Sequence, residues 1–85
     1  MSMNNKLLVI AKFPYLDLEY EIFVPINKKV GTIKNLIIDT AYELSGGVLK
    51  KDNLSMYESE TGRVFDNNIY VKNSDIKNGT KLLFF

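Results

Sequence analysis

The chain contains no cysteine, no histidine and no tryptophan, and it has one arginine and two prolines among its 85 residues. Without cysteine there are no disulfides, thiolate metal sites or thiol nucleophiles. Without histidine as well, zinc sites and the usual triads and acid–base pairs lose their customary members, and only carboxylates, lysines and tyrosines remain for chemistry. The expectation is a protein that is not an enzyme and that needs no cofactor or metal. Strong charge of either sign is also missing, since eleven basic residues stand against ten acidic ones for a net charge of +1. That is too little to generate the field used in sequence-independent nucleic-acid binding. Ten of the eleven cations are lysines and Arg63 is alone, whereas bidentate reading of phosphates and bases favours arginine. Nucleic acid is therefore not an expected partner. Long apolar runs are absent too. Leu7 to Ala11 is too short to cross a bilayer, only Lys6 flanks it as a basic residue, and no small-residue cleavage site follows. The reading is cytoplasmic, with no insertion into a membrane.

What remains is an ordinary globular composition, 46% hydrophobic and 25% charged. The length holds one domain, here residues 6–85, behind a polar lead of residues 1–5 expected to be disordered. A domain this small buries roughly 60% of its unfolded surface, which leaves a thin core and little room for a deep cleft.

The apolar, branched run Lys6 to Phe13 suits a strand, and Pro14 ends it because proline cannot donate to a sheet ladder. Leu16 to Pro25 alternates, with Leu18, Tyr20, Ile22 and Val24 on one side and Asp17, Glu19, Glu21 and Phe23 on the other. The short link from Pro14 to Asp17 makes the two an antiparallel hairpin. From Gly31-Thr32 onward, Ile33, Leu36, Ile37, Ala41 and Leu44 have the one-face spacing of an amphipathic helix. Thr32 is the expected N-cap, and Ser45-Gly46-Gly47 the stop. Leu54 to Glu58, the polar turn Ser59 to Gly62, and Arg63 to Phe65 read as a second hairpin. Ile69 to Asn73 reads as irregular or a short strand, Ser74 to Asn78 as one tight helical turn before Gly79, and Thr80 to Phe85 as the last strand. The order predicts an α+β fold: a mixed four- to five-stranded sheet with one amphipathic helix packed across one face.

This order, with Val24-Pro25, Ile33-Lys34-Asn35-Leu36-Ile37, and Ser74-Asp75-Ile76-Lys77-Asn78-Gly79 leading into Lys81-Leu82-Leu83, resembles the ubiquitin-like β-grasp superfamily. Within it the chain is most similar to the YukD/EsaB family, which accompanies the type VII (WXG100, or ESX-like) secretion systems of Firmicutes. The resemblance implies an accessory or regulatory adaptor without catalysis, peripheral to a membrane secretion complex, with its membrane components or ATPase as partners. Ubiquitin and the sulfur carriers end in a flexible Gly-Gly tail. Here the sequence ends Leu83-Phe84-Phe85 and Gly46-Gly47 is internal, so conjugation is not expected, as in the YukD/EsaB proteins.

A helix on one face leaves the other face of the sheet bare. If Leu18, Tyr20, Ile22 and Val24 face the helix, Phe23 points away from it, and the same alternation puts Leu83 and Phe85 outward. With Lys12 outward, Leu8 and Ile10 follow it, and Leu7, Val9, Ala11 and Phe13 go inside. A slip of one residue would invert that first strand. Leu8, Ile10, Phe23, Leu83 and Phe85 then form an apolar patch, the kind of surface that meets a protein partner or a second copy. The alternative reading is a β-grasp module of another bacterial or phage assembly that homodimerises through the same face. Lys28-Lys29 with Lys34, and Lys50-Lys51, read as solvated charges. Glu19 and Glu21, about 7 Å apart at i and i+2, have no pocket or partner for acid–base work. Tyr15, Tyr42, Tyr57 and Tyr70 read as half-buried packing residues.

Overall fold

The computed structural model describes residues 5–85. The expected disordered lead falls mostly outside them, and Asn5 is tied in, its carbonyl accepting the Ile26 N–H at 2.9 Å. Four strands and one helix follow: β1 (Lys6–Phe13), β2 (Leu18–Pro25), α1 (Val30–Leu44), β3 (Met56–Glu58) and β4 (Thr80–Phe84). The sheet order is β2-β1-β4-β3. β1 pairs antiparallel with β2 and parallel with β4, and β3 is antiparallel to β4. The sheet is therefore mixed and four-stranded, with its first and last strands side by side in the centre and α1 across one face.

The core is the inner face of that sheet against the helix. Val9, Ala11 and Phe13 of β1, Ile22 and Val24 of β2, Leu82 and Phe84 of β4, and Val30, Ile33, Ile37, Ile38 and Ala41 of α1 are buried, joined by Leu49, Met56, Val71 and Ile76. No polar or charged residue is buried among those described. At roughly 25 cal/mol per Å² of apolar area, burial of such side chains is the main favourable term holding the fold.

Four details differ from the sequence reading, each for a physical reason. The strand expected from Leu16 starts at Leu18, because Pro14–Leu16 is a 3-10 turn closed by the Asp17 N–H donating to the Pro14 carbonyl, and the left-handed backbone of Asp17 (φ 54°) then redirects the chain into the strand. Thr32 is not the N-cap. The helix begins at Val30 after Lys29, and its free amides find main-chain acceptors, Val30 donating to Ile69 (2.8 Å) and Gly31 to Asn67 (3.0 Å). That use of residues 67–70 also explains why no second full hairpin forms. After the single bridge Tyr57–Val64 the chain leaves the sheet to cap the helix, and Lys29 bridges Tyr70. The helical turn expected at Ser74 to Asn78 lies earlier, at Val71–Asn73. Side chains organise the following stretch, with the Ser74 hydroxyl donating to the Val71 carbonyl and accepting from Ile76 N–H.

The far end of the helix is as expected. Gly46 N–H donates to the Glu43 carbonyl and Gly47 N–H to the Tyr42 carbonyl, both glycines at positive φ. Such main-chain bonds close the last turn, and glycine takes the left-handed conformation they need at little steric cost.

Candidate protein-interaction face

The bare face of the sheet is built by the strand pairings. β1 shows it Lys6, Leu8, Ile10 and Lys12, so Leu7, Val9, Ala11 and Phe13 turn inward. Opposite them β2 shows Pro25, Phe23, Glu21 and Glu19 in register. On the other side of β1, Lys81 lies beside Ile10 and Leu83 beside Lys12, and Leu83 in turn pairs with Tyr57 of β3.

Three rows result. The first is Phe23–Leu8, the second Glu21–Ile10–Lys81, and the third Glu19–Lys12–Leu83–Tyr57. All five patch residues named from the sequence lie on this face, but the surface differs from one continuous exposed patch. Leu8, Ile10 and Leu83 are half-buried by their neighbours, while Phe23 and Phe85 are 48% and 42% exposed. Two apolar ends, Leu8 with Phe23 and Leu83 with Phe85, stand about 13 Å apart along the strands at 3.3 Å per residue. Ile10 sits between them, flanked by charges of opposite sign.

Sequence reasoning missed two members of the second end. Tyr57 stacks on Phe85, with centroids 4.8 Å apart and planes at 20°, and Tyr15 meets Phe85 edge-on at 6.1 Å. Tyr57 could have been found by alternation, since Met56 is the inward residue of β3. Tyr15 sits on the 3-10 turn, where alternation does not apply, and is 85% exposed. Phe85 itself is held by reciprocal main-chain bonds with Ser55 (3.0 and 3.2 Å).

Charges frame the face without dominating it. Lys12 Nζ lies 3.9 Å from the Glu19 carboxylate, both partly exposed, a pair worth about 1 kcal/mol at most. Lys51 pairs with Asp39 at 3.3 Å and covers the Tyr42 ring at 4.7 Å, while Lys29 and Lys34 border a shallow depression with Asn67 and Asn68. Among the described residues no three acidic groups converge as a metal site would need.

One carboxylate has a displaced titration. Glu58 accepts from the Thr61 hydroxyl (2.7 Å) and the Thr61 N–H (2.8 Å), and these bonds hold it below the usual carboxylate range, with Arg63 adding a smaller push. It borders an open depression of about 500 Å³ shared with Arg63, Phe65 and Asp75. Its partners shape a turn. A smaller apolar hollow of about 260 Å³ lies at the other end, lined by Phe13, Leu49 and Phe84 together with Tyr15, Leu16 and Val48. No helix among the described residues is long and apolar enough to cross a membrane.

No protein-family model matches the chain, and neither does any curated protein sequence. Solved structures match it well in shape and weakly in sequence. The ubiquitin-like domain of an Arabidopsis thaliana protein superposes with a TM-score of 0.65 at 15% identity, over 100% of this chain and 81% of that one. Caldiarchaeum subterraneum ubiquitin does so with a TM-score of 0.62 at 13% identity, over 93% of this chain and 90% of its own. A chain of the MycP5-free ESX-5 inner membrane complex gives 0.74 at 10% identity, over 95% of this chain and 21% of that chain. At such identities the likeness concerns the fold alone, and the fold is the ubiquitin-like β-grasp.

Proposed function

With a ubiquitin-like domain as the premise, we propose that this chain is a non-catalytic adaptor that binds other proteins through the bare face of its sheet, as an accessory component of a type VII-like secretion system. The observation that carries the binding role is the pairing of two apolar ends, Leu8 with Phe23 and Leu83 with Phe85 and Tyr57, on the face of the sheet turned away from the helix. Apolar side chains grouped within a polar frame are the usual mark of a docking surface.

The secretion role is supported by the YukD/EsaB-like run from Ser74 to Leu83 and by the shape shared with part of an ESX-5 inner membrane complex chain. In this reading the domain works on the cytoplasmic side, peripheral to the membrane machinery, and acts by docking without turnover. Its partner is a protein of that machinery, such as the ATPase, and nucleic acid is not one.

The test is light scattering after size-exclusion chromatography on the wild type and on Phe23→Asp combined with Leu83→Asp, followed by titration of both against the purified soluble part of a type VII secretion ATPase. The expected result is a monomer that binds the ATPase, with binding lost in a variant that still melts cooperatively. A wild-type dimer that the double substitution splits into folded monomers would favour the homodimerising module instead. Equal ATPase binding by both proteins would refute the sheet-face reading.

A further inference from the structure

Five lysines meet at one end of the molecule, where β1 starts, β2 stops and α1 begins. Main-chain pairings fix the meeting. Lys6 pairs with Pro25, and one step on, Ile26 N–H donates to the Asn5 carbonyl. The Ile26 carbonyl in turn accepts Lys72 N–H at 3.0 Å, the Lys28 carbonyl accepts Val71 N–H at 2.9 Å, and Lys29 bridges Tyr70. Lys34, one turn into the helix, shares with Lys29 the shallow depression that also holds Asn67 and Asn68. Lys6, Lys28, Lys29 and Lys72 are exposed and Lys34 is half-buried. Lys28, Lys29 and Lys34 are neighbours in the sequence, but Lys6 and Lys72 join them only in the fold.

None of the five is ion-paired among the described residues, where the paired cations are Lys12, Lys51 and Arg63. The acids are distant or engaged. Glu19 lies six residues back from Pro25 along β2, about 20 Å at 3.3 Å per residue. Glu43 lies thirteen residues along α1 from Val30, about 20 Å at 1.5 Å per residue. Both exceed a Debye length of about 8 Å at physiological salt, so neither screens the lysines. Glu21 is about 13 Å from Pro25 on the same count. On the β3 side, Asp75 lies 3.9 Å from Arg63 and Asp66 accepts the Asn68 N–H at 2.9 Å. Because the whole chain carries only +1, the rest of it is net negative. The charge is therefore polarised along the strands, with an uncompensated cationic end.

The start of the helix is not what would receive an anion here, since Val30 and Gly31 already give their N–H groups to Ile69 and Asn67. The field comes from lysine side chains alone. Lysine is a hydrated point charge on a flexible stem and lacks the rigid fork with which arginine grips one carboxylate or phosphate. Five such charges around a shallow surface suit a plane of many mobile anions better than a single acidic segment. Tyr70 belongs to the same end, 43% exposed, with Lys72 Nζ 5.9 Å from its ring centroid. An amphipathic aromatic beside basic residues is the kind of side chain found at lipid headgroup level. We propose that this end of the domain docks on an anionic phospholipid bilayer, resting on the headgroups without insertion. Clusters of roughly four to eight basic residues bind such surfaces, each lysine adding about fivefold in affinity. Docked this way the strands stand upright on the membrane, and the Leu83, Phe85 and Tyr57 end of the sheet face points away from it, open to a protein. The proposal does not rest on the secretion role.

The test is flotation of the whole chain with vesicles of phosphatidylcholine alone and of phosphatidylcholine with about 30% phosphatidylserine, at about 0.1 M and 0.5 M salt. Binding is expected only to the phosphatidylserine vesicles and only at low salt. Lys28→Gln combined with Lys72→Gln should weaken it by about twenty- to thirtyfold, and Lys28→Arg combined with Lys72→Arg should keep it. Lys50→Gln combined with Lys51→Gln removes the same charge from the far end and should leave binding within about twofold, because that end does not approach the lipid. Leu83→Asp is expected to bind vesicles like the wild type, which separates this surface from the sheet face. A headgroup spin label in the vesicles should broaden the amide signals of Lys28, Lys29 and Lys72 and spare those of Tyr15 and Val48. All variants change exposed side chains, and a cooperative melt confirms that each is folded. Equal binding to neutral vesicles, equal loss in the two glutamine pairs, or tighter binding of polyglutamate or an oligonucleotide at the same lysines would overturn the inference.

Discussion

Phe13 and Phe84 stack ring over ring, with centroids 4.9 Å apart and planes at 21°, where β1 and β4 run side by side. Both are buried, and Phe13 also meets Tyr20 edge-on at 6.4 Å. Removing a buried phenylalanine side chain costs about 3–5 kcal/mol. At about 0.05–0.15 kcal/mol per residue, that is a large part of what a domain this size has. Phe84→Ala is expected to be substantially unfolded at 37 °C, and Phe84→Leu to lose about 1–2 kcal/mol in urea denaturation. Phe85→Ala, one residue on but outward, should cost clearly less than Phe84→Ala in the same measurement.

For the strands, such a contrast is legible in the amino-acid order alone. Alternation sorts Phe84 from Phe85, and Val24 from Phe23, because period two leaves no other choice once one face is buried. The helix is legible over Ile33 to Leu44 and at its Gly46-Gly47 stop for the same reason, a local pattern with a local cause. The helix start is not, because its amides are satisfied by Asn67 and Ile69, acceptors more than thirty residues away that carry no signature of that role. The truncated second hairpin is hidden by the same long-range event. Of the candidate face, the five named residues are visible in the sequence. Tyr15 and Tyr57 escape it, since their contact with Phe85 depends on where a turn and a three-residue strand end up.

Two glycines separate conformational strain from crowding. A Cβ at Gly46 would meet nothing within 4 Å, yet the backbone there has φ of +68°. Gly46→Ala should therefore cost about 1 kcal/mol through the left-handed conformation alone. A Cβ at Gly31 would lie 3.1 Å from the Asn67 Cβ and 3.2 Å from the Asn67 carbonyl oxygen that accepts the Gly31 N–H. Crowding there outweighs the helix-propensity gain of up to about 1 kcal/mol, and thermal denaturation of Gly31→Ala should show a net loss of about 1 kcal/mol.

Asn78 holds the start of the central ladder by accepting the Leu8 N–H across seventy residues of sequence. Asn78→Ala should cost about 1 kcal/mol in equilibrium denaturation and speed hydrogen exchange at Leu8, while Asn78→Asp, which keeps the acceptor, should restore the protection.

Glu58 gives the turn at Ser59 to Gly62 a dependence on acid. Its folded pKa is lowered by the Thr61 bonds, so the turn's stabilisation is fully present above the ordinary carboxylate pKa and is lost as pH falls through the lowered value. The Thr61 amide resonance should titrate on the acid side in the wild type and stay flat in Glu58→Gln.

The parallel pairing of β1 with β4 also sets an order of events during folding. The hairpin of β1 and β2 and the helix after it are local, but the strand that completes the centre of the sheet is contributed by residues 80–84. Closing a loop of that length adds an entropic cost before the contacts that reward it exist, and such topologies fold slowly for their size. During synthesis the early hairpin must therefore wait, its inner face of Val9, Phe13, Ile22 and Val24 without its full cover, until Leu82 and Phe84 have been made. That interval exposes the nascent chain to aggregation and to helper proteins that shield apolar surface.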